Sequence, residues 1–456
     1  MRVTRRELVG TVAALALAGG RRTARARSIP RELVAAEAWV PLAGETARLY
    51  AFNQQVPGPL LELQAGDEVQ LRLVNQLTEP TNLHFHGLHV PPDGSADDVF
   101  REVPPGADGE YRFHIPTNHQ AGLFWLHPHV HGFVARQVSL GLAAPCIIRG
   151  DLDAIPAVAA AREHILVLQD FDLDRSGRPV APGTAAMMTG REGSLVTVSG
   201  QRGPRYAIEQ DGFLRLRVLN ASASRFYRLA LEQHPLHLIA TDGGSLAAPE
   251  TVDDLLLAPG QRADVLVQGA RPPGVYRLQS LTYDRGGAGM MRGVTMGATL
   301  TLATVAYDGR AEQPMSLPET LVPVEALPAG PVQRTFTLGG VAGTGMGPGM
   351  AMRFLINGRE FDHMRIDDRV RLGRVEDWEY INDTTMDHPM HVHTNAFQLV
   401  DSDGQAEPAW RDVVIVRAGS RARIRTRFDD FAGKTVQHCH ILDHEDLGMM
   451  STLLIG

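Results

Sequence analysis

The chain has 456 residues, of which 21% are charged and 44% hydrophobic, a composition typical of a globular protein large enough for several domains. Its net charge of −8 argues against a nucleic-acid-binding surface, and two cysteines exclude a disulfide-rich scaffold or a cysteine-based zinc module. Histidine is the unusual residue, because there are 18 and most of them fall in a few short motifs.

The first residues are typical of a secretion signal. Arg5 and Arg6 precede an apolar run from Leu8 to Ala18, and the small-residue exit Ala24-Arg25-Ala26 follows. This run is too short to cross a bilayer, which needs about 20 apolar residues. The sequence therefore predicts a twin-arginine-type signal peptide at residues 1–26, export to the periplasm or outside the cell, and no membrane span. A basic N-terminal tail is the alternative interpretation.

Alternating apolar and polar residues, as in residues 69–73, indicate half-buried β-strands. Three such strands end in asparagine, at Asn75, Asn220 and Asn382, and each is followed by a glycine turn and a further alternating strand. This repeat predicts three consecutive β-sandwich domains. We expect them at residues 30–150, 155–310 and 331–456, with a Pro-rich linker at residues 311–330.

The first and third repeats carry paired histidines in the same frames. His84-Phe85-His86 begins nine residues after Asn75, and His391-Val392-His393 begins nine residues after Asn382. Five residues after Gly122 and Gly433 come the second pairs, His127-Pro128-His129 and His438-Cys439-His440. The middle repeat has no histidine in either frame.

Paired histidines in a strand favour metal binding. Residues i and i+2 of a strand point to the same face, so each His-x-His pair presents two imidazoles side by side. One pair alone would be typical of surface or core packing, whereas four pairs in matching frames can converge eight imidazoles between two domains. Such a cluster suits copper, iron or zinc and does not by itself select the metal.

The third domain selects copper. Cys439 lies between two of these histidines, so its sulfur points to the opposite face of the strand. His388, His444 and Met449 lie nearby in sequence, and one thiolate, two imidazoles and a thioether form the ligand set of a blue-copper electron-transfer site. An electron accepted at Cys439 needs one backbone step to reach the histidine cluster, which predicts reduction of O2 to water there. The alternative for Met449, which is followed by Met450, is a core residue.

Together these motifs resemble the three-domain multicopper oxidases, the laccase and cuprous-oxidase group, over about residues 40–456. The resemblance implies an all-β fold of three cupredoxin-like Greek-key β-sandwich domains that bind four copper ions. It implies a type 1 copper held by His388, Cys439, His444 and Met449. It also implies a type 2 copper on His84 and His391, and a type 3 pair on His86, His127, His129, His393, His438 and His440.

This sequence departs from the family pattern at two positions beside the ligands. Phe85 stands where tryptophan is common, and Thr394 where glycine often follows the third motif. Neither change removes a ligand, so we expect both to affect only the packing around the cluster.

Two acidic residues resemble the proton-relay positions of the family. Glu445 directly follows His444, and Asp97 lies in Ser95-Ala96-Asp97-Asp98. We expect Glu445 and Asp97 to supply protons for O2 reduction. The alternatives are a solvated acid for Glu445 and an ordinary turn residue for Asp97, with Asp98 as the other candidate for the relay position.

The reducing substrate is less well defined by sequence, because donor pockets are built from loops. A laccase-like enzyme that oxidises phenols or aromatic amines is the favoured interpretation. The alternative is a cuprous oxidase in copper tolerance, for which soft thioethers in Gly-rich loops would bind Cu(I): Met290, Met291, Met296, Met346, Met350 and Met352. Flexible loop or core packing also accounts for these methionines.

A third function class is a copper-free envelope scaffold of the same fold. That class predicts gaps among the ligands, and all twelve positions are filled. We therefore expect an enzyme whose partners are O2 and a small reducing substrate. A monomer is sufficient, since the first and third domains belong to one chain.

Overall fold

The computed structural model describes residues 31–286, 298–311, 313–341 and 353–456. The predicted signal peptide at residues 1–26 lies outside the described residues. So do the six loop methionines: Met290, Met291, Met296, Met346, Met350 and Met352.

Two four-stranded sheets form the first β-sandwich, in the orders β2-β1-β4-β6 and β3-β8-β7-β5. Their strands are β1 (Glu32–Leu42), β2 (Glu45–Phe52), β3 (Leu61–Gln64), β4 (Glu68–Asn75), β5 (His84–His86), β6 (Asp108–His114), β7 (Gly122–His127) and β8 (Ala144–Arg149). Alternate residues of β4 are buried, and Leu71 shares one core with Leu61 and Cys146 of the facing sheet. The predicted period of two therefore identifies the buried face of this strand.

The second sandwich has a six-stranded sheet, β10-β9-β12-β17-β14-β15, and a five-stranded sheet, β11-β19-β18-β13-β16. Its strands are β9 (Arg162–Phe171), β10 (Leu195–Val198), β11 (Arg205–Gln210), β12 (Phe213–Asn220), β13 (Tyr227–Leu231), β14 (Leu236–Thr241), β15 (Gly244–Val252), β16 (Leu255–Leu257), β17 (Arg262–Gln268), β18 (Val275–Leu281) and β19 (Leu300–Arg310). We call this unit the middle domain.

The third sandwich has two five-stranded sheets, β21-β20-β23-β27-β25 and β22-β29-β28-β24-β26. Its strands are β20 (Val332–Val341), β21 (Arg353–Ile356), β22 (Asp368–Val370), β23 (Arg374–Asn382), β24 (His388–Val392), β25 (Phe397–Val400), β26 (Val413–Val416), β27 (Arg421–Phe428), β28 (Gly433–Cys439) and β29 (Met450–Ile455). Residues 311 and 313–330, which belong to the predicted linker, form no helix or strand.

Five short helices complete the described residues: α1 (Val134–Ser139), α2 (Asp151–Ala154), α3 (Pro156–Ala160), α4 (Thr184–Thr189) and α5 (Leu442–Asp446). None of the helices in the described part of the chain is long and apolar enough to span a membrane. The predicted all-β fold of three sandwiches is confirmed.

The repeated asparagine has the same structural role in each sandwich. The side-chain amide of Asn75 donates to the carbonyls of Glu79 and Val103, at 2.9 and 2.8 Å. Asn220 and Asn382 each donate to two carbonyls in the same way. Since a buried backbone carbonyl needs a donor, each asparagine satisfies the turn that follows its strand.

Strand pairing brings the histidine motifs together. Strand β5 pairs with β7 so that His84 lies opposite His127, and β24 pairs with β28 so that His391 lies opposite His438. The two motifs of each domain therefore lie side by side in one sheet before the domains meet.

Candidate metal centre

Eight imidazoles from the first and third sandwiches converge in one buried cluster. The Nε2 atoms of His84 and His391 lie 3.3 Å apart across the domain interface. The Nε2 atom of His438 lies 3.1 Å from that of His129 and 3.0 Å from that of His393. Every member of the cluster is at most 2% exposed: His84, His86, His127, His129, His391, His393, His438 and His440.

The cluster divides into groups of three whose ligand atoms lie within 4.8 Å of one another. Two groups share no residue, and each combines both domains. They are His86, His127 and His440, and His129, His393 and His438. The remaining pair, His84 and His391, forms a further group with His86. This division has the same membership as the predicted type 3 pair and type 2 site.

The ring nitrogens of the histidine cluster are better suited to binding metal ions than to hydrogen bonding with one another. Among the described residues, several buried ring nitrogens have no hydrogen-bond partner: His86 Nδ1, His127 Nε2, His393 Nδ1 and both nitrogens of His440. Buried polar atoms rarely remain unpaired in proteins, so these nitrogens fit the coordination of metal ions. Burial lowers the pKa of all eight imidazoles below 6.5, to about 4 for His129 and His438. The rings are therefore neutral at pH 7, which is the form that binds a metal.

A second donor set lies in the core of the third sandwich. The Cys439 Sγ is 3.4 Å from His388 Nδ1 and 3.8 Å from His444 Nδ1, and those two nitrogens are 3.3 Å apart. Met449 is fully buried, and its backbone carbonyl accepts from the Cys439 amide at 3.0 Å. Burial raises the pKa of the Cys439 thiol, so a bound cation would have to displace its proton.

The two donor sets lie on opposite sides of one strand. Cys439 belongs to the core of the third sandwich, whereas His438 belongs to the interdomain cluster and His440 contacts His86 and His127 there. Since successive side chains of a strand alternate between faces, the motif His438-Cys439-His440 itself produces this arrangement.

The predicted relay acids both contact the cluster. Asp97 is buried, accepts from the Phe85 amide at 2.8 Å, and lies 2.9 Å from His84 Nδ1. Burial raises its pKa well above the ordinary value. The neighbouring Asp98 is half-buried and accepts from the Phe100 amide instead. The geometry therefore favours Asp97 over Asp98 for a role at the cluster.

Glu445 lies between two imidazoles of one group. Its carboxylate oxygens lie 3.0 Å from His438 Nδ1 and 3.5 Å from His129 Nε2. Burial raises the pKa of Glu445 to about 7, although His129 opposes the shift. A carboxyl with a pKa near neutrality can both hold and release a proton at physiological pH.

Sequence reasoning missed three residues that contact the donors from outside. The Asp412 carboxylate lies 3.0 Å from His86 Nε2. On the cysteine side, the Met188 carbonyl lies 3.1 Å from His444 Nε2 and the Thr384 hydroxyl 2.9 Å from His388 Nε2. Thr384 lies only four residues before His388, so its contact could have been predicted from the local sequence. The other two contacts depend on how the domains pack.

Comparison with known proteins decides the family. Three family profiles, each described as multicopper oxidase, match residues 33–153, 165–309 and 327–456. The chain belongs to the multicopper oxidase family. The resemblance inferred from the motifs is confirmed, and the family implies copper, oxidoreductase activity, and O2 with a reducing substrate as reactants.

Relatives of this multicopper oxidase include enzymes and a protein with another role. The solved multicopper oxidase of Campylobacter jejuni, described as a metallo-oxidase, is 32% identical with a TM-score of 0.81, and the match covers 93% of this chain and 90% of that one. The multicopper oxidase mco of Staphylococcus aureus is 27% identical over 423 residues, covering 90% of this chain and 85% of that one. The cell division protein FtsP of Escherichia coli (strain K12) is 28% identical over 396 residues, covering 83% of this chain and 79% of that one.

Proposed function

We propose that this chain is a four-copper oxidase that takes single electrons from a donor at the Cys439 site and reduces O2 to water at the histidine cluster. The observation that carries the proposal is the pair of buried donor sets joined by consecutive residues, His438, Cys439 and His440. Copper held there would supply one-electron exchange beside Cys439 and dioxygen reduction among the eight imidazoles.

The chain's own residues would transmit electrons and hold protons. Cys439 is covalently linked through single peptide steps to one member of each type 3 group, so electrons have a short bonded route between the sites. Glu445 and Asp97 would hold protons beside the cluster, next to His438 and His84 respectively. Reduction of O2 to water consumes protons as well as electrons, which gives both carboxyls a chemical purpose.

An enzyme is favoured over a copper-free scaffold. The likeness to the cell division protein FtsP means that this fold can serve another role. A scaffold has no need for buried ring nitrogens without hydrogen-bond partners, and such nitrogens are a destabilising feature unless a metal binds them. The complete ligand set supports copper binding by this chain.

Phenols and aromatic amines remain the favoured donors. A cavity of about 450 Å³ adjoins helix α4 and is lined by Ala186 of that helix, by Gly183 just before it, and by Tyr50, Phe171 and Arg191. Its volume suits an aromatic molecule. Arg191 donates to Asp443, the neighbour of His444, at 2.7 Å, so the cavity wall is connected to the Cys439 site.

Cu(I) is the second candidate donor, because the helix that contacts His444 carries two methionines. Helix α4 carries Met187 and Met188, both partly buried, and the carbonyl of Met188 contacts His444. Both type 1 imidazoles are fully buried, which favours a small donor over one that must touch a ring edge. Thioethers are suitable ligands for Cu(I).

A steady-state comparison of Cu(I) with a simple phenol, each with and without added Cu(II), tests the donor class. A laccase-like enzyme oxidises the phenol efficiently without added Cu(II). A cuprous oxidase prefers Cu(I) and needs added Cu(II) to oxidise the phenol. If the methionines bind Cu(I), the double variant Met187→Leu/Met188→Leu should lower kcat/KM for Cu(I) and leave kcat/KM for the phenol unchanged.

Export by the twin-arginine route and the three domain boundaries are further parts of the proposal. Replacing Arg5 and Arg6 by lysine should leave the precursor inside the cell. N-terminal sequencing of the exported wild-type protein should locate the cleavage site near residue 26. Size-exclusion chromatography of active protein tests whether a monomer suffices.

A further inference from the structure

One residue outside the ligand set contacts both domains of the histidine cluster. The Asp412 carboxylate lies 3.0 Å from Nε2 of His86, in the first sandwich. Its backbone carbonyl lies 2.8 Å from Nδ1 of His391, in the third sandwich. The rings of His86 and His391 are stacked at 3.8 Å with an angle of 8° between their planes. Asp412 therefore fixes the orientation of a predicted type 3 ligand and a predicted type 2 ligand together.

Arg262 of the middle domain holds Asp412 in place. Its Nη1 and Nη2 donate to the two oxygens of the Asp412 carboxylate at 2.7 and 2.5 Å, and both side chains are at most 2% exposed. A bidentate contact of this kind fixes the plane of the carboxylate as well as its position. Burial raises the pKa of Asp412 to about 6, and the Arg262 guanidinium opposes the shift.

Arg262 is itself anchored by the first sandwich and by its own domain. Its Nε donates to the Leu123 carbonyl of the first sandwich at 2.9 Å. Its Nη2 donates to the Asp242 carbonyl at 2.7 Å, and its backbone amide donates to the Asp242 carboxylate at 2.7 Å. One side chain of the middle domain thus contacts all three sandwiches at the histidine cluster.

The middle domain also holds the backbone that leads to Asp412. The Trp410 carbonyl accepts from the Thr241 hydroxyl at 2.7 Å and from the Gly243 amide at 2.9 Å. A Cβ atom on Gly243 would lie only 2.7 Å from the Cβ of Trp410, so only glycine allows these two segments of the chain to lie this close together. The segment that carries Asp412 therefore cannot move without disturbing the middle domain.

We propose that Arg262 is a positioning residue of the histidine cluster, acting through Asp412 to fix His86 and His391 for metal binding. The middle domain, which contributes no ligand, would then set the geometry of the cluster formed by the other two. This inference rests on the proposed four-copper function, because the rings must bind copper for their orientation to matter.

Arg262→Gln in the copper-loaded protein tests the proposal, with the type 2 copper signal in electron paramagnetic resonance as the main readout. We expect an altered type 2 signal, a loss of copper from the cluster, and a fall in kcat of about 10- to 100-fold. The type 1 absorption should be unchanged. Arg262→Lys, which keeps the charge, should restore part of the wild-type signal.

Arg215→Gln is the matched control, since Arg215 forms a buried ion pair with Asp264 inside the same domain, at 2.6 Å, and its other ion pairs are with Asp153 and Glu163 rather than with a cluster residue. This control should lower Tm without changing the type 2 signal. If Arg262→Gln lowers Tm similarly and its type 2 signal equals that of the wild type, Arg262 is only structural and the proposal is wrong.

Two further outcomes separate the possible failures. Should Arg262→Gln not fold, the isosteric Asp412→Asn must alter the type 2 signal, and an unaltered signal there overturns the proposal. Wild-type protein that binds no copper would contradict the proposed function itself. If the wild type binds copper and both variants, Arg262→Gln and Asp412→Asn, show the wild-type type 2 signal, only the role of Arg262 is contradicted.

Discussion

The Nε2 atom of His444 lies 3.1 Å from the carbonyl oxygen of Met188, so helix α4 of the middle domain covers the Cys439 site. The C-terminal end of α4 packs closely against the third sandwich. Gly190 follows α4 with a φ of 84°, and a Cβ there would lie 2.6 Å from Ile441 Cγ2. An electron donor that approaches His444 from this side would therefore meet α4 first.

Loosening α4 should change which donors are oxidised. Arg191 anchors the segment after the helix by bidentate contact with Asp443, at 2.7 and 3.1 Å. Arg191→Ala should raise kcat/KM for a bulky phenol by about 3- to 10-fold, because an open lid exposes His444. Steady-state kinetics of the phenol and of Cu(I) provide the measurement. Arg191→Lys is the control, and an unchanged ratio of the two rates would contradict a lid.

Removing the Cys439 thiol should abolish the Cys439 site and leave the histidine cluster intact. In Cys439→Ser, we expect loss of the blue absorption and of substrate oxidation, because a hydroxyl does not replace the thiolate of a blue-copper site. Circular dichroism should be unchanged, since the two side chains have similar size. A variant that remains blue would show that Cys439 is not the type 1 ligand.

Neutralising the buried acid should slow turnover without emptying the cluster. Glu445→Gln keeps the contacts with His438 and His129 but cannot carry a proton. We expect kcat to fall by about 100-fold, within the range for loss of a general acid. Copper content per chain is the control and should match the wild type. Equal turnover in Glu445→Gln and the wild type would rule out a proton role.

One pair at the contact of the first and third sandwiches should stabilise the protein in a limited pH range. His89 Nε2 lies 2.9 Å from Asp430 Oδ1. Burial lowers the pKa of His89, but its hydrogen bonds with Asp430 and the Thr394 carbonyl outweigh burial and raise it above 6.5. The hydrogen bond with His89 also lowers the pKa of Asp430.

The raised pKa of His89 means that its stabilisation is complete below about pH 6.5 and is lost as pH rises through the folded value. The lowered pKa of Asp430 means that the stabilisation is lost as pH falls through its folded value, below about pH 4. His89→Gln should therefore lower Tm by about 1–2 °C at pH 6, because the pair is partly exposed to solvent. The difference should vanish at pH 9, and an equal loss at both pH values would contradict the ion pair.

The parts of this molecule that sequence predicts well are those set by local geometry. Strand alternation alone puts His438 and His440 on one face and Cys439 on the other, so the two donor sets were visible from a three-residue motif. The repeated asparagines gave the sandwich count because each completes a turn only a few residues away in sequence.

The contacts that sequence did not predict join residues far apart along the chain. Asp412 and Arg262 are separated by 150 positions and meet only after three domains have packed. Helix α4 has six residues, too few for a helical period to be recognised, and its position over His444 depends on the same packing. Such residues have ordinary sequence surroundings and a role that only tertiary structure reveals.

Copper binding at both donor sets is tested most directly by the copper content and visible spectrum of the purified protein after copper loading. A four-copper oxidase should contain about four copper ions per chain and show an intense absorption at about 600 nm from the Cys439 site. Fewer than about three copper ions per chain, or no such absorption, would contradict a four-copper oxidase.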